Sequence, residues 1–214
     1  MQLYSYFRSS AAYRVRIALN LKGLSYEYLG VHLLKNGGEQ LSDSYRELNP
    51  AALVPTLVDG DVALGQSMAI IEYLDETRPE PPLLPGSAVD RARIRALAQI
   101  VACDIHPINN QRVAKYLGDA YGVSDEGKAD WMRHWMQLGL EGYEAMLATT
   151  PGTGKFSHGD TPTLADICLI PQLFNAVRFS YDFKHLSNVQ RIFDTCMSLS
   201  AFDKAQPSKQ PDAF

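Results

Sequence analysis

The stretch Val54-Pro55-Thr56-Leu57-Val58, Asp59-Gly60-Asp61, Val62-Ala63-Leu64, followed by Ser67 to Thr77, decides the fold. Two short apolar runs joined by Asp-Gly-Asp read as a β-hairpin. Ile70, Ile71 and Leu74 then fall on one side of a helix that ends near Arg78-Pro79. Toward the N-terminus, Leu3–Phe7 reads as a strand and Ser9–Lys22 as a helix, with Val15, Ala18 and Leu19 at helical spacing and Gly23 as its stop. Tyr26–Val31 is strand-like, and a short helical segment runs from about Glu39 to Leu48, closed by Asn49-Pro50. The order β-α-β-α-β-β-α makes a small mixed sheet with helices.

In the other direction, Pro81, Pro82, Pro85 and Gly86 form a stiff connector. No convincing strand follows it. Arg91–Leu117 is one long helical pattern with a kink expected at Pro107. Asp125–Thr149 is a second, with Trp131, Trp135, Leu138 and Met146 as core candidates. Leu164–Ala176 and Val189–Ser198 are further helices, and the tail from Asp203 reads as polar. Two domains are expected: an α/β unit over residues 1–80 and an all-helical one over 88–214.

Composition narrows the function. The chain has 214 residues, and 20 Lys+Arg against 24 Asp+Glu give a net charge of −4 with no basic block. That argues against nucleic acid as the partner. No apolar run approaches the ~18 residues that span a bilayer, and no secretory leader is expected. Cys103, Cys168 and Cys196 are odd in number and far apart, so they read as buried, reduced thiols of a cytoplasmic protein and not as a metal site.

Three places can carry chemistry. Pro55 cannot donate to a ladder, so it is either an edge-strand proline or a cis-proline turn that leaves the Val54 backbone to pair with a peptide-like ligand. Gln66-Ser67 is an ordinary helix start or a carboxylate site built from free N–H groups and a hydroxyl. Ser9-Ser10-Ala11-Ala12 lies where a redox protein of this topology carries Cys-x-x-Cys, and the absence of cysteine there excludes disulfide exchange by the protein. These serines are caps, or they stabilise a thiolate at the helix's positive end. His106 and Asn110, one turn apart, are expected on one helical face with Asn109 near it, and a buried, satisfied histidine is the plain reading. Arg8, Arg112 and Arg178 are each compatible with ordinary surface arginines. Thr163-Leu164-Ala165-Asp166 fits a capping box and is assigned no chemistry.

Taken together, Tyr4-Ser5-Tyr6-Phe7-Arg8-Ser9-Ser10, Arg14-Val15-Arg16-Ile17-Ala18-Leu19, Asn49-Pro50, Val54-Pro55-Thr56-Leu57, Gln66-Ser67 and Ile70-Ile71-Glu72-Tyr73-Leu74 resemble the zeta class of glutathione transferases. More narrowly they resemble the maleylacetoacetate and maleylpyruvate isomerases. Asp104-Ile105-His106-Pro107-Ile108-Asn109-Asn110 and Asp160–Asp166 extend the likeness nearly end to end. The resemblance implies a thioredoxin-like α/β N-terminal domain, an all-α C-terminal domain and a homodimer. It implies glutathione as cofactor, held by Val54, Pro55, Gln66, Ser67, His106, Asn109 and Asn110. Ser9, Ser10 and Arg8 match its catalytic positions, and Arg8, Arg112 and Arg178 match arginines that bind a dicarboxylate. The implied reaction is cis-trans isomerisation of a maleyl keto diacid by reversible thiol addition, which leaves glutathione unconsumed. One departure is Ala11, where the class usually has cysteine. The alternatives are a general transferase or dehalogenase with the same cleft, and a partner-binding protein that has kept the fold without the activity.

Overall fold

The computed structural model describes residues 1–213. They form two compact units, Met1–Leu83 together with the segment from Ser198 onward, and Leu84–Met197. In the first unit, β1 (Gln2–Ser5), α1 (Ser10–Leu21), β2 (Glu27–Gly30), α2 (Asp43–Leu48), β3 (Thr56–Asp59), β4 (Val62–Gly65) and α3 (Ser67–Thr77) follow one another. The expected βαβαββα order is therefore present. The sheet runs β2-β1-β3-β4, with β1–β2 parallel and the other pairs antiparallel. Leu3 pairs with Leu57 at its centre, and both are fully buried.

Strand alternation sends Tyr4 and Tyr6 to the face opposite Leu3 and Ser5. On that face the Tyr4 ring lies 6.0 Å from Tyr45 of α2. Tyr6, Phe7, Val31, Tyr45 and Val54 close into one apolar cluster there. The helical segment expected from Glu39 is broken at Ser42, whose hydroxyl accepts from Tyr45 N and starts α2 afresh. Lys22 caps the end of α1 with its ammonium buried, donating to Asp75 at 2.8 Å, the Arg78 carbonyl at 2.7 Å and the Pro81 carbonyl at 2.9 Å. All three of its protons are thus used.

The second unit is helical. Within it α4 (Ala88–Gln99) opens on a capping box between Ser87 and Asp90. The kink expected at Pro107 is a larger break: a π-turn over Ile100–Ile105 and irregular turns to Asn109 separate α4 from α5 (Gln111–Tyr121). Next, α6 (Asp125–Thr149) has the bounds its periodicity predicts, but its buried stripe is Met132, Met136, Leu140, Tyr143 and Leu147. Trp131 and Trp135 are half-buried and Leu138 is exposed, so the expected core face is displaced by one residue. Helices α7 (Leu164–Arg178) and α8 (Ser187–Met197) complete the unit. Cys168 and Cys196 are buried thiols as expected, whereas Cys103 is exposed.

The tail does not belong to this helical unit, as the 88–214 boundary had it. From Ser198 it joins the first unit, where α9 (Ser200–Ala205) packs on α1. Asn20 donates to the Ala201 carbonyl at 2.9 Å, and Arg16 to the Ala205 carbonyl at 3.1 Å.

A buried polar chain holds α6 to α7. The Tyr143 hydroxyl donates to Ser157 Oγ at 2.8 Å, and Asp166 accepts from Ser157 N at 2.8 Å. Tyr143→Phe keeps the ring and removes one buried hydrogen bond. It should lower unfolding free energy by about 1 kcal/mol with the denaturant slope unchanged, as read by equilibrium urea unfolding.

Candidate active site

Ser9 is the N-cap of α1, with φ −69° and ψ 115°, and its Oγ accepts from Ala12 N at 3.2 Å. That contact uses a lone pair and leaves the O–H to donate to a further acceptor. The acceptor best suited to this place is an anion, because the helix carries partial positive charge at its start and no acidic residue occupies its first turn. Ser9 and Ala11 are half-buried, Ser10 is buried, and Arg8 is exposed with its guanidinium 4.8 Å from the Phe7 ring centre.

The Val54–Pro55 peptide is cis, and the β1–β3 ladder starts only at Thr56, so Val54 stands outside it. Of the two readings left open for this proline, the cis turn is the one present. The loop is pinned from α2: Tyr45 Oη donates to the Leu53 carbonyl at 2.8 Å, and Asn49 Nδ2 donates to the same carbonyl and to Thr56 Oγ1, each at 2.9 Å. Val54 also packs in the cluster that contains Tyr6 and Phe7, just before Ser9.

Ser67 is the buried first residue of α3, and Gln66 before it holds φ +66°. A non-glycine residue costs about 1–3 kcal/mol in that region and persists only where its surroundings fix it. Arg14, 2% exposed on α1, donates from Nη1 to Ser67 Oγ at 3.2 Å. A guanidinium, a hydroxyl whose proton can point outward and a helix N-terminus together make a donor set for a carboxylate. The first unit thus offers a thiolate-type site at Ser9, an unladdered backbone at Val54 and a carboxylate-type site at Ser67. A tripeptide bearing a thiol and a free α-carboxylate fits that chemistry.

In the second unit the expected pairing of His106 with Asn110 on one helical face is not formed. His106 sits in the turns after the π-segment, and Asn110 is the N-cap of α5 with Oδ1 accepting from Arg112 N at 3.1 Å. Pro107, which has no N–H to donate, lies between them, after the π-turn and before the fresh helix start at Asn110. Asn109 Nδ2 donates to the Met132 carbonyl at 3.0 Å, while its buried Oδ1 has no hydrogen-bond partner. Arg112 in the first turn of α5 and Arg178 at the end of α7 are both exposed. The capping box at Thr163–Asp166 is present, with Thr163 N and Oγ1 donating to Asp166 Oδ2 at 2.8 and 3.0 Å. Burial pushes the Asp166 pKa up against these donors.

Arg14 and Arg16 carry structural work that spacing alone does not reveal. Their one sequence signal is a pair of guanidinium side chains flanking Val15 in an otherwise apolar helix. Among the described residues no helix is long and apolar enough to cross a membrane, and no cluster of His, Cys, Asp or Glu is arranged to hold a metal.

Fold and donor set together define a glutathione transferase. The model for the glutathione S-transferase N-terminal domain matches residues 3–82. A probable maleylacetoacetate isomerase of Vibrio cholerae is 49% identical over 99% of this chain and 97% of its own. The holo structure of a bacterial zeta-class maleyl pyruvate isomerase superposes with TM-score 0.97 at 48% identity over the whole of both chains. A maleylacetoacetate isomerase of Methylobacterium extorquens AM1, solved with malonate and glutathione, gives 0.95 at 41%, again over both whole chains. The chain belongs to the zeta class of the glutathione S-transferase family, the class of the maleylacetoacetate and maleylpyruvate isomerases.

Proposed function

We propose that this protein is a cytoplasmic, homodimeric enzyme that converts a maleyl keto diacid from cis to trans with glutathione as a reusable cofactor. The observation that carries the reading is Ser9, whose oxygen is anchored by Ala12 N while its proton remains to be donated at the positive end of α1. Bound glutathione supplies the sulfur nucleophile that adds to the cis double bond and leaves it again. Ser9 donates to that sulfur and favours its charged form, with Ser10 as its neighbour. Val54, next to Pro55, pairs with the peptide backbone of the cofactor. Gln66 and Ser67, backed by Arg14, hold the α-carboxylate. His106, Asn109 and Asn110 are assigned to the cofactor's glycyl end. Arg8, Arg112 and Arg178 bind the substrate's carboxylates and the negative charge that develops on it, because guanidinium forks match carboxylate geometry. Ala11 leaves no protein thiol at this position, so all the sulfur chemistry comes from the cofactor.

The test is turnover of maleylpyruvate or maleylacetoacetate with glutathione at about one-hundredth of the substrate. Full conversion with all the glutathione recovered supports isomerisation. Loss of one glutathione per turnover identifies a conjugating transferase instead. Arg178→Ala should raise KM for the dicarboxylate about tenfold, the loss of one charge-assisted bond, while leaving KM for a neutral chloro-aromatic electrophile within about twofold. Equal effects on the two substrates would remove Arg178 from the carboxylate site.

A further inference from the structure

The loop that brings Ser9 to the start of α1 is gripped from both sides, by Arg16 two turns into α1 and by Asp212 far away in the sequence. Phe7 N donates to Asp212 Oδ2 at 3.1 Å, and Asp212 Oδ1 accepts from the Tyr28 hydroxyl at 2.6 Å. On the opposite side of the same residue, Arg16 Nη2 donates to the Phe7 carbonyl at 3.1 Å. Arg16 Nη1 donates to Ser5 Oγ at 3.1 Å, and Nε to the Ala205 carbonyl at 3.1 Å. Arg16 is fully buried, so its guanidinium cannot swing away without losing these partners to no solvent. The next turn of the chain is tied to the same frame, because Ser9 N donates to the Tyr6 carbonyl at 2.9 Å. The tail is seated as well as bonded: Ala213 packs on the cluster containing Tyr6 and Phe7, and Asp212 Cβ lies where a side chain on Gly30 would come within 3.6 Å.

We infer that Asp212 and Arg16 are positioning residues that hold the Phe7 peptide between a carboxylate and a guanidinium, and so aim the Ser9 hydroxyl at the sulfur of glutathione. This rests on the assignment of Ser9 as that sulfur's hydrogen-bond donor. Hydrogen-bond strength falls steeply with distance and angle, so slack at Phe7 reaches Ser9 as a weaker bond to the thiolate. The tail segment carrying Asp212 is then part of the active site's frame through its bond to Phe7.

The sign of one measurement separates this role from simple electrostatics. Removing a negative charge near a thiol lowers the thiol's pKa, whereas loosening its hydrogen-bond donor raises it. Asp212→Ala is therefore expected to raise the pKa of protein-bound glutathione by about half a unit to one unit, part of the one to two units assigned to Ser9. It is also expected to speed hydrogen exchange of the Phe7 amide in the cofactor-free protein. Asp212→Asn, which keeps one acceptor oxygen, should fall between Ala and the parent and serves if the Ala variant does not fold. Combining Asp212→Ala with Ser9→Ala should shift the thiol no further than Ser9→Ala alone. An unchanged or lowered thiol pKa in both Asp212 variants, beside a clear rise in Ser9→Ala, overturns the positioning role and leaves the Ser9 assignment standing. A Ser9→Ala variant with an unmoved thiol pKa overturns the Ser9 assignment, and this inference with it.

Discussion

Replacing Ser9 with alanine is expected to slow isomerisation by roughly ten- to thirtyfold at pH 7, the loss of thiolate that follows from raising the pKa of the bound glutathione thiol by about one to two units toward that of a free thiol. A free thiol with pKa ~8.5 is only about 3% ionised at that pH. A hydrogen bond to a charged group contributes ~1.5–3 kcal/mol, and one pKa unit corresponds to about 1.4 kcal/mol. Ser9 is placed to supply that bond because Ala12 N already occupies a lone pair on its oxygen and directs the proton elsewhere. Losing the hydroxyl leaves the helix's positive end and the rest of the binding site in place, so KM for glutathione should move much less than kcat. The decisive readings are the ultraviolet titration of the thiolate and the pH–rate profile, whose acidic limb should move to higher pH by the same amount. A parallel fall in glutathione affinity with no shift of that limb would mean that Ser9 binds the cofactor without activating it.

The largest stability loss is expected at Asp166, a residue with no part in the chemistry. Its carboxylate is fully buried and accepts from Ser157 N, Thr163 N and Thr163 Oγ1. Asp166→Ala orphans two backbone donors in a dry interior, each costing about 1–3 kcal/mol, so a total near 3–5 kcal/mol is expected. For a chain of this length that lowers the melting temperature by about 10 °C or more. Asp160→Ala is the matched control: its carboxylate caps Lys155 N in an exposed turn and should cost under about 1 kcal/mol. Folded Asp166→Ala protein should still bind glutathione and turn over normally. Calorimetric unfolding and a kinetic assay on the same sample check both halves. A variant that melts like the parent would show that water or a rearranged loop replaces the carboxylate.

What the sequence makes legible is whatever local spacing controls. The hairpin at Asp59-Gly60-Asp61 and the bounds of α3 and α6 follow from turn chemistry and apolar periodicity, and the structure has them there. The buried face of α6 is also written in its spacing, as Met132, Met136, Leu140, Tyr143 and Leu147 at intervals of three and four. Two large tryptophans draw attention to the wrong side, because indole rings pack well at the margin of a core. Trp131 does so while donating to the Ile108 carbonyl at 3.0 Å. The stretch around Pro107 shows a different limit. A missing N–H signals an interruption, but whether the helix bends or ends depends on the π-turn before it and on Asn110 starting a new helix after it.

The candidate site divides along the same line. Ser9 and Ser67 sit at helix starts, where side-chain type and position alone suggest anion chemistry. Arg16 and Asp212 are invisible to that kind of reading. The tail from Asp203 looks like a polar end until α9 packs against α1 and Asp212 meets Phe7, a contact between opposite ends of the chain. Nothing within a window of neighbouring residues encodes such a pairing; it exists only once the sheet has formed and presents Tyr28 and Gly30 to the tail.

The most direct trial of the account is an ultraviolet pH titration of reduced glutathione with and without saturating parent protein. A thiolate signal from the bound tripeptide appearing about one to two units below that of the free tripeptide is the predicted result. Superimposable curves, at a protein concentration where binding is independently seen, would contradict it.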